Sequence, residues 1–459
     1  MLFNECDETR NEIARLRRLI EIRLDCLVNM SHKKRKRIAR ISRRIGIQPL
    51  LCLIAFACAA EAQQVIMQQP QYSVPPPALQ QAQNNEMQVF NPEAAYLNLL
   101  QEINPYQWGP VSFHPSLSYQ FLYGTGIQST PGTNGATIVQ TISPNFLFVV
   151  GSHWTLDYSP SWTFYSSSQF QNSVNHTATL SWGTSYEDWV LGFSQGYTRS
   201  DNPLIETGGQ TEQENYSTAI NASYQFNAKM SLDIGVSQNF SFANNSGSSA
   251  NLQNSRVWST MEWLNYEFWP RLNAGIGAGG GYVNVDSGSD QVFEQVSGRV
   301  NWRATDKTSF QISAGFEDSR ALIAGASDII SPTFSASIQY QPFATTQLSL
   351  NAGRAMSVSY FESQNTESTS LTASLNQRLL RKFNLRLGGG YTTIDYISST
   401  SGASTGRTDD TYSFTASLSH SLSKRGTVSV SYSYSDNRSS APGFTFSSNQ
   451  IGIQIGYQF

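Results

Sequence analysis

From Pro110 onward the chain alternates in twos. Val111, Phe113, Leu117, Tyr119, Phe121 and Tyr123 share one parity, as do Met230, Leu232, Ile234 and Val236, then Leu385, Leu387 and Gly389. The closing stretch "NQIGIQIGYQF" does the same with Ile451, Ile453, Ile455, Tyr457 and Phe459 against Gly and Gln. Successive side chains of an extended strand point to opposite faces, so alternation over runs of 10 to 14 residues predicts long strands, each with one greasy and one polar face.

The strands recur as hairpins. Ala336-Ser337-Ile338, Ala373-Ser374-Leu375 and Ala416-Ser417-Leu418 each sit eight residues before a short turn centre, at Ala344, Arg381 and Lys424. A looser copy, Ala222-Ser223-Tyr224, precedes a turn near Asn227, and further short turns fall at Gly151, Glu187, Pro270 and Asp306. The eight turns are spaced 36 to 43 residues apart. Propeller blades share that period, but four strands per blade would leave each only about half the length of the alternating runs. Two long strands per period fit a meander. The links at the far ends, such as "RSDNPLIETGGQTEQ" and "SSTSGASTGRTDD", are longer and polar. Short turns on one side and long loops on the other mark a transmembrane β-barrel.

Eight turns join sixteen strands, and one unpaired run lies at each end, from Val111 to Tyr123 and up to Phe459. The expected fold is therefore all-β: a transmembrane antiparallel up-and-down barrel over 110–459 with about 18 strands. Sixteen is the alternative, because segments such as "RVWSTMEWLNYEF" alternate poorly. On this reading the last strand turns its apolar face to lipid and closes its edge onto the strand from Val111, leaving no edge open. Aromatics beside the short turns (Tyr186, Trp189, Tyr224, Phe226, Phe268, Trp269, Trp302, Tyr340, Phe383) suit an interfacial girdle.

Composition agrees. Only 14% of residues are charged, where about a quarter is usual for a soluble domain. Ser, Thr, Asn, Gln and Gly take their place. No cysteine follows Cys58, so neither a disulfide framework nor a thiolate metal site is available to the barrel. Residues 1–62 hold 13 of the 30 Lys and Arg, which leaves 17 basic against 26 acidic residues afterwards, and this balance argues against nucleic acid.

Residues 1–62 read as a leader. A basic run from Met30, an apolar run from about Ile47 to Ala60, and Ala60-Glu61-Ala62 form the three parts of a secretory signal with cleavage after Ala62. Met30 is a second possible start. Ser42-Arg43-Arg44-Ile45 is better read as n-region charge than as a twin-arginine signal, and Cys58 fits lipidation less well than Ala60 and Ala62 fit cleavage. Residues 63–109 are expected to be a flexible periplasmic extension, Gln- and Pro-rich to about 90. A short helix is expected from Asn91-Pro92-Glu93 to about Ile103.

At Gly109 to Gly126, "GPVSFHPSLSYQFLYGTG", the sequence resembles the first strand of the outer-membrane beta-barrel porin type 2 family. The Pro115-Ser116-Leu117-Ser118 core, "LRLGGGYTTIDY" and the closing aromatic residue fit the same family. The resemblance implies a barrel in a Gram-negative outer membrane and, as some members accompany exopolysaccharide genes, a link to saccharide. The closing strand, with alternate apolar Ile451, Ile453, Ile455 and Tyr457 and a terminal Phe459, also resembles the signal read by the outer-membrane barrel assembly machinery.

Sites for chemistry are few. His114, His153, His176 and His420 lie far apart in sequence, and no nucleophile elbow marks a serine, so no enzyme is expected. Asp286, Asp290, Asp409 and Asp410 fall in predicted loops where calcium is conceivable, but no ligand spacing singles them out; neither metal nor cofactor is expected. Gly277–Gly281 and Gly388–Gly390 lack the strand-to-helix context of a phosphate loop and are read as sites of close backbone approach. Arg299, Arg354 and Arg386 are mid-strand cations, too few for a basic ladder. The expectation is a porin-like passive channel for small neutral hydrophilic solutes, or alternatively a barrel assisting exopolysaccharide export or surface assembly. No expected outer loop clearly exceeds about 15 residues, so the pore should be wide unless residues 63–109 plug it.

Overall fold

The computed structural model describes residues 106–126, 135–244, 252–380 and 382–459. All lie in the second of two compact units, Val65–Phe459. The leader, its cleavage site at Ala60 and Ala62, the tether and the short helix fall outside the described residues.

The chain enters the sheet as β1 (Tyr106–Trp108) and β2 (Val111–Thr125). Eight hairpins with short turns span the next strands. They pair β3 (Thr137–Val150) with β4 (Trp154–Tyr165), β5 (Ser173–Tyr186) with β6 (Trp189–Leu204), and β7 (Gly209–Asn227) with β8 (Met230–Asn244). Next come β9 (Ser255–Trp269) with β10 (Leu272–Val285), and β11 (Gln291–Thr305) with β12 (Thr308–Ala321). The last three join β13 (Ile329–Phe343) to β14 (Thr346–Val358), β15 (Gln364–Leu379) to β16 (Phe383–Ser398), and β17 (Ser404–Ser421) to β18 (Gly426–Ser439). β19 (Phe446–Gln458) ends the run. All eight short turns fall where the hairpin spacing placed them. At the tight turn after Tyr186, Glu187 takes φ +52°, the left-handed conformation that two-residue hairpin turns use.

Each strand from β2 to β19 pairs antiparallel with the next, and β19 returns to β2 from Asn449↔Thr125 to Gln458↔Ser116. The result is a closed barrel of 18 strands, with β1 as one extra strand. β1 continues the seam: it pairs with β2 from Tyr106↔Phe113 to Trp108↔Val111, beyond the end of β19. Alternation alone did not reveal this strand, because three residues are too few to show a period.

The apolar parity faces outward. Ile451, Ile453, Ile455, Tyr457 and Phe459 are all exposed, as are Leu117, Tyr119 and Tyr123 on β2 beside them. In water such a surface would be costly; in a bilayer it is the solvated side. Tyr186, Phe226, Phe268, Trp269, Trp302 and Tyr340 are exposed near the short turns, as expected of a girdle. A second aromatic ring lies towards the other end, where Tyr197 meets Tyr216 and Tyr391 meets Tyr412 at centroid distances of 4.9 and 5.0 Å.

Candidate functional site: the lumen and its outer mouth

The opposite parity lines the interior, and it is mostly hydroxyl and amide. Ser413, Thr415, Ser417 and Ser419 of β17 stand opposite Ser435, Ser433, Ser431 and Ser429 of β18. Gln454 of β19 faces Gln120 of β2. Neighbouring hydroxyls satisfy one another: Ser349 to Ser374 at 2.6 Å, Ser237 to Ser259 at 2.6 Å, and Ser313 to Ser335 at 2.9 Å. A wall of this kind carries many donors and acceptors but little net charge.

One sector departs from the pattern. On β10, Gly275, Gly277, Gly279 and Gly281 occupy inward positions, and side chains from both flanking strands lie across them. A Cβ at Gly277 would meet Trp263 carbons at 2.6 and 2.7 Å and Met261 Cε at 2.8 Å. At Gly281 it would meet Phe293 Cζ at 2.4 Å and the Trp258 carbonyl at 2.4 Å. The glycines therefore mark close approach, as the sequence suggested, and what approaches is a row of large apolar side chains laid along the wall.

Beside that row sits an ion pair. Arg299 on β11 reaches across Gly275 and bonds Asp233 of β8 through Nη2, while its Nε donates to Asn265 Oδ1 at 2.9 Å. Asn265 Nδ2 in turn donates to Asp233 Oδ2 at 2.9 Å, and Ser223 Oγ to Asp233 Oδ1 at 2.6 Å. The guanidinium lies 4.4 Å from the Trp263 ring centroid. Arg354 is paired with Glu367 at 2.6 Å. Arg386 shares the polar face of β16. Two of the three mid-strand arginines are thus neutralised in place, and the described residues form no basic ladder.

The outer mouth corrects the expectation of a wide pore. The β6–β7 and β14–β15 hairpins, eight strands apart around the ring of 18, meet each other across it. The Glu206 carboxylate accepts from Ser359 Oγ at 2.5 Å and from the Tyr360 amide at 2.8 Å. Tyr360 reaches the far wall, its hydroxyl donating to Gln213 Oε1 of β7 at 3.2 Å and lying 3.2 Å from Ser241 Oγ of β8. Arg407 completes the latch: Nη1 donates to the Glu206 carbonyl at 2.8 Å and Nη2 to the Ile205 carbonyl at 3.1 Å. The same guanidinium binds Asp409 at 2.6 Å and packs against the rings of Tyr396 and Phe444 at 4.3 and 3.6 Å. Leu204, Ala243 and Tyr360 form a small apolar cluster beside it, with Leu252 against them. Short loops suffice because the strands are long: β6, β7 and β15 run 16, 19 and 16 residues, where about 9–11 tilted residues span a bilayer; loop length alone did not show this. Burial raises the Glu206 carboxyl above its usual range, against the opposing pull of its hydrogen bonds and Arg407.

The remaining sequence candidates are dispersed. Asp409 and Asp410 are not in a loop but in β17, where Asp409 is held by Arg407 and Asp410 accepts from the Tyr391 hydroxyl at 2.7 Å. Asp286 is bound by Arg256 at 2.9 Å and Asn254 at 2.7 Å, and Asp290 by Asn284 at 3.1 Å. Among the described residues no three His, Cys, Asp or Glu gather as a metal site. His176 meets the Tyr158 hydroxyl at 3.0 Å, His420 stacks on Phe383 at 4.7 Å, and His153 bonds its neighbour Ser152 in an exposed turn. Glu206, Arg407, Asp233, Asn265, Trp263 and Phe293 were not singled out from sequence. A signal for Trp263 was present: "RVWSTMEWLNYEF" breaks alternation because Met261 and Trp263 place apolar bulk on the inward face; Phe293 gave none.

A closed 18-strand barrel with an apolar exterior and a hydroxyl-lined interior has the architecture of a transmembrane β-barrel. Residues 285–459 match the family described as Putative beta-barrel porin 2, in agreement with the resemblance drawn from the sequence. No curated protein matches the chain. Among solved structures, OccK11 (OpdR) of Pseudomonas aeruginosa is 13% identical with a TM-score of 0.38, over 76% of this chain and 96% of that one. OmpT of Vibrio cholerae lacking loop L8 is 13% identical with a TM-score of 0.36, over 76% and 99%. The siderophore receptor PirA of Acinetobacter baumannii is 7% identical with a TM-score of 0.42, over 76% and 80%.

Proposed function

We propose that the barrel is a passive channel for small neutral hydrophilic solutes. The observation that carries this reading is the lumen wall: Ser, Thr, Asn, Gln and Gly line it, and Arg299 is cancelled by Asp233. Hydroxyls and amides replace the hydration of a neutral polar solute, whereas strong ion selection needs a ring or ladder of like charge. The Glu206–Arg407 latch restricts the mouth and so limits solute size. On the same reading the strand Ile451–Phe459 carries the address for the barrel assembly machinery, and the leader is removed after Ala62. Purified protein in a planar bilayer tests the channel. Stable conductance steps with weak cation-to-anion preference are expected, and the absence of steps even when the latch is broken by Arg407→Ala would overturn it.

A further inference from the structure

We propose that the lumen wall formed by β8 to β11 holds a binding subsite for neutral saccharide, built on Trp263, Phe293 and the Arg299–Asp233–Asn265 group. The proposal rests on the channel reading above and names the solute class that the channel recognises.

The orientation of these groups follows from contacts across the mouth. Gln213 and Ser241, on the polar parity of β7 and β8, touch Tyr360 from the opposite hairpin, so that parity faces the interior. Gln291 at the start of β11 pairs with Asn365 of β15 at 2.9 Å, which places the polar parity of β11 inside as well. Asp233 and Arg299 have the same parities, and Trp263 lies against Arg299. The shelf is therefore luminal.

The β17–β18 wall, by contrast, presents small hydroxyls. At the shelf the β10 glycines leave a trough, and Trp263, Met261 and Phe293 fill it side by side. From Gly277 to Gly281 the trough runs four residues, about 13 Å along the strand. A pyranose has a face of C–H groups and a rim of hydroxyls. The first needs a flat apolar surface, and the second needs donors and acceptors around it.

The wall provides both. Arg299 supplies donors, with Nη1 making no hydrogen bond among the described residues. Asp233 is an acceptor, and Ser237 and Ser259 are hydroxyls of either role. Because the Arg–Asp pair is already neutral, an ionic solute gains little from it. A purely apolar solute would strand the surrounding polar groups. The chemistry that satisfies every part is uncharged, hydroxyl-rich and apolar on one face.

The test uses a panel of neutral oligosaccharides (maltotriose, cellotriose and xylotriose) on purified full-length barrel, with polyethylene glycol of equal hydrodynamic size as the control for volume alone. Current block in planar bilayers and equilibrium retention by detergent-solubilised protein are read in parallel. At least one saccharide should block and be retained where the glycol is not. Trp263→Ala should weaken that affinity about tenfold while conductance steps persist, with Trp263→Phe recovering part of it. Steps without selective retention of any saccharide, or retention unchanged in Trp263→Ala, would overturn the subsite. Retention without steps would keep the subsite and remove the passive-channel reading.

Discussion

Arg407 donates to the backbone carbonyl of Glu206 at 2.8 Å, across 201 residues of chain and from the far side of the barrel mouth. Two outer hairpins that share no strand pairing are held together at this point.

Breaking the latch should open the mouth without unfolding the wall. Arg407→Ala removes two carbonyl contacts and leaves Asp409, fully buried, without its cation. An unpaired buried charge costs about 3–5 kcal/mol, enough to undock the hairpins. Single-channel recordings should show larger steps, and protease should cut near residues 204–209, while heat-modifiable migration of the barrel stays normal.

The latch should also respond to pH. Burial raises the Glu206 pKa in the docked state above its ordinary value of 4.5. The docked form therefore holds its proton more tightly than the undocked one, so docking is strongest below about pH 4.5 and weakens as pH rises through the raised value. Arg407 and Asp409 also face the carboxyl, the first lowering and the second raising its pKa. Conductance should fall on acidification of the outer side. Glu206→Gln, whose amide oxygen still accepts from Ser359 and Tyr360, should stay docked and lose this dependence.

Adding a methyl group to the shelf should be costly where it meets backbone as well as side chain. A Cβ at Gly281 meets not only Phe293 but the backbone carbonyl of Trp258, which cannot rotate away. Gly281→Ala should destabilise the barrel by about 1–3 kcal/mol, seen as a lower urea midpoint. Gly298, with no atom closer than 3.9 Å to the added carbon, should tolerate the same change.

Phe459→Ser should reduce outer-membrane insertion, because the exposed apolar row from Ile451 to Phe459 is the feature proposed to be read during assembly. Heat-modifiable barrel in membranes of expressing cells measures it; a normal yield would remove the assignment.

Protein extracted from the outer membrane should begin at Gln63. Mass spectrometry of its N-terminal peptide checks the predicted cleavage after Ala62, and Ala60→Asp should leave precursor uncleaved.

The barrel itself was legible because its code is local. A strand with lipid on one side and water on the other must alternate, so Leu385 and Leu387 or Ile451 and Ile453 announce their face two residues at a time, and the eight turn positions follow from hairpin length. The Gly277–Gly281 run could be read as close approach, but not what approached, since Trp263 and Phe293 come from different neighbouring strands whose register only pairing sets. Asp409 looked like a loop residue because β17 runs on past the bilayer, where alternation no longer has two solvents to distinguish.

Sequence by itself determined the long strands, their turns and which face meets lipid, since each depends on residues within about one hairpin; it left the count at 18 or 16 and did not show β1. Only the tertiary structure decided that Glu206 meets Tyr360 and Arg407, and that Arg299 is cancelled by Asp233. The Glu206 contacts exist because closing β19 onto β2 curves the sheet until opposite hairpins face each other, whereas Asp233 meets Arg299 along one wall, across the glycines of β10. Closure is a property of the whole ring, which no local pattern encodes.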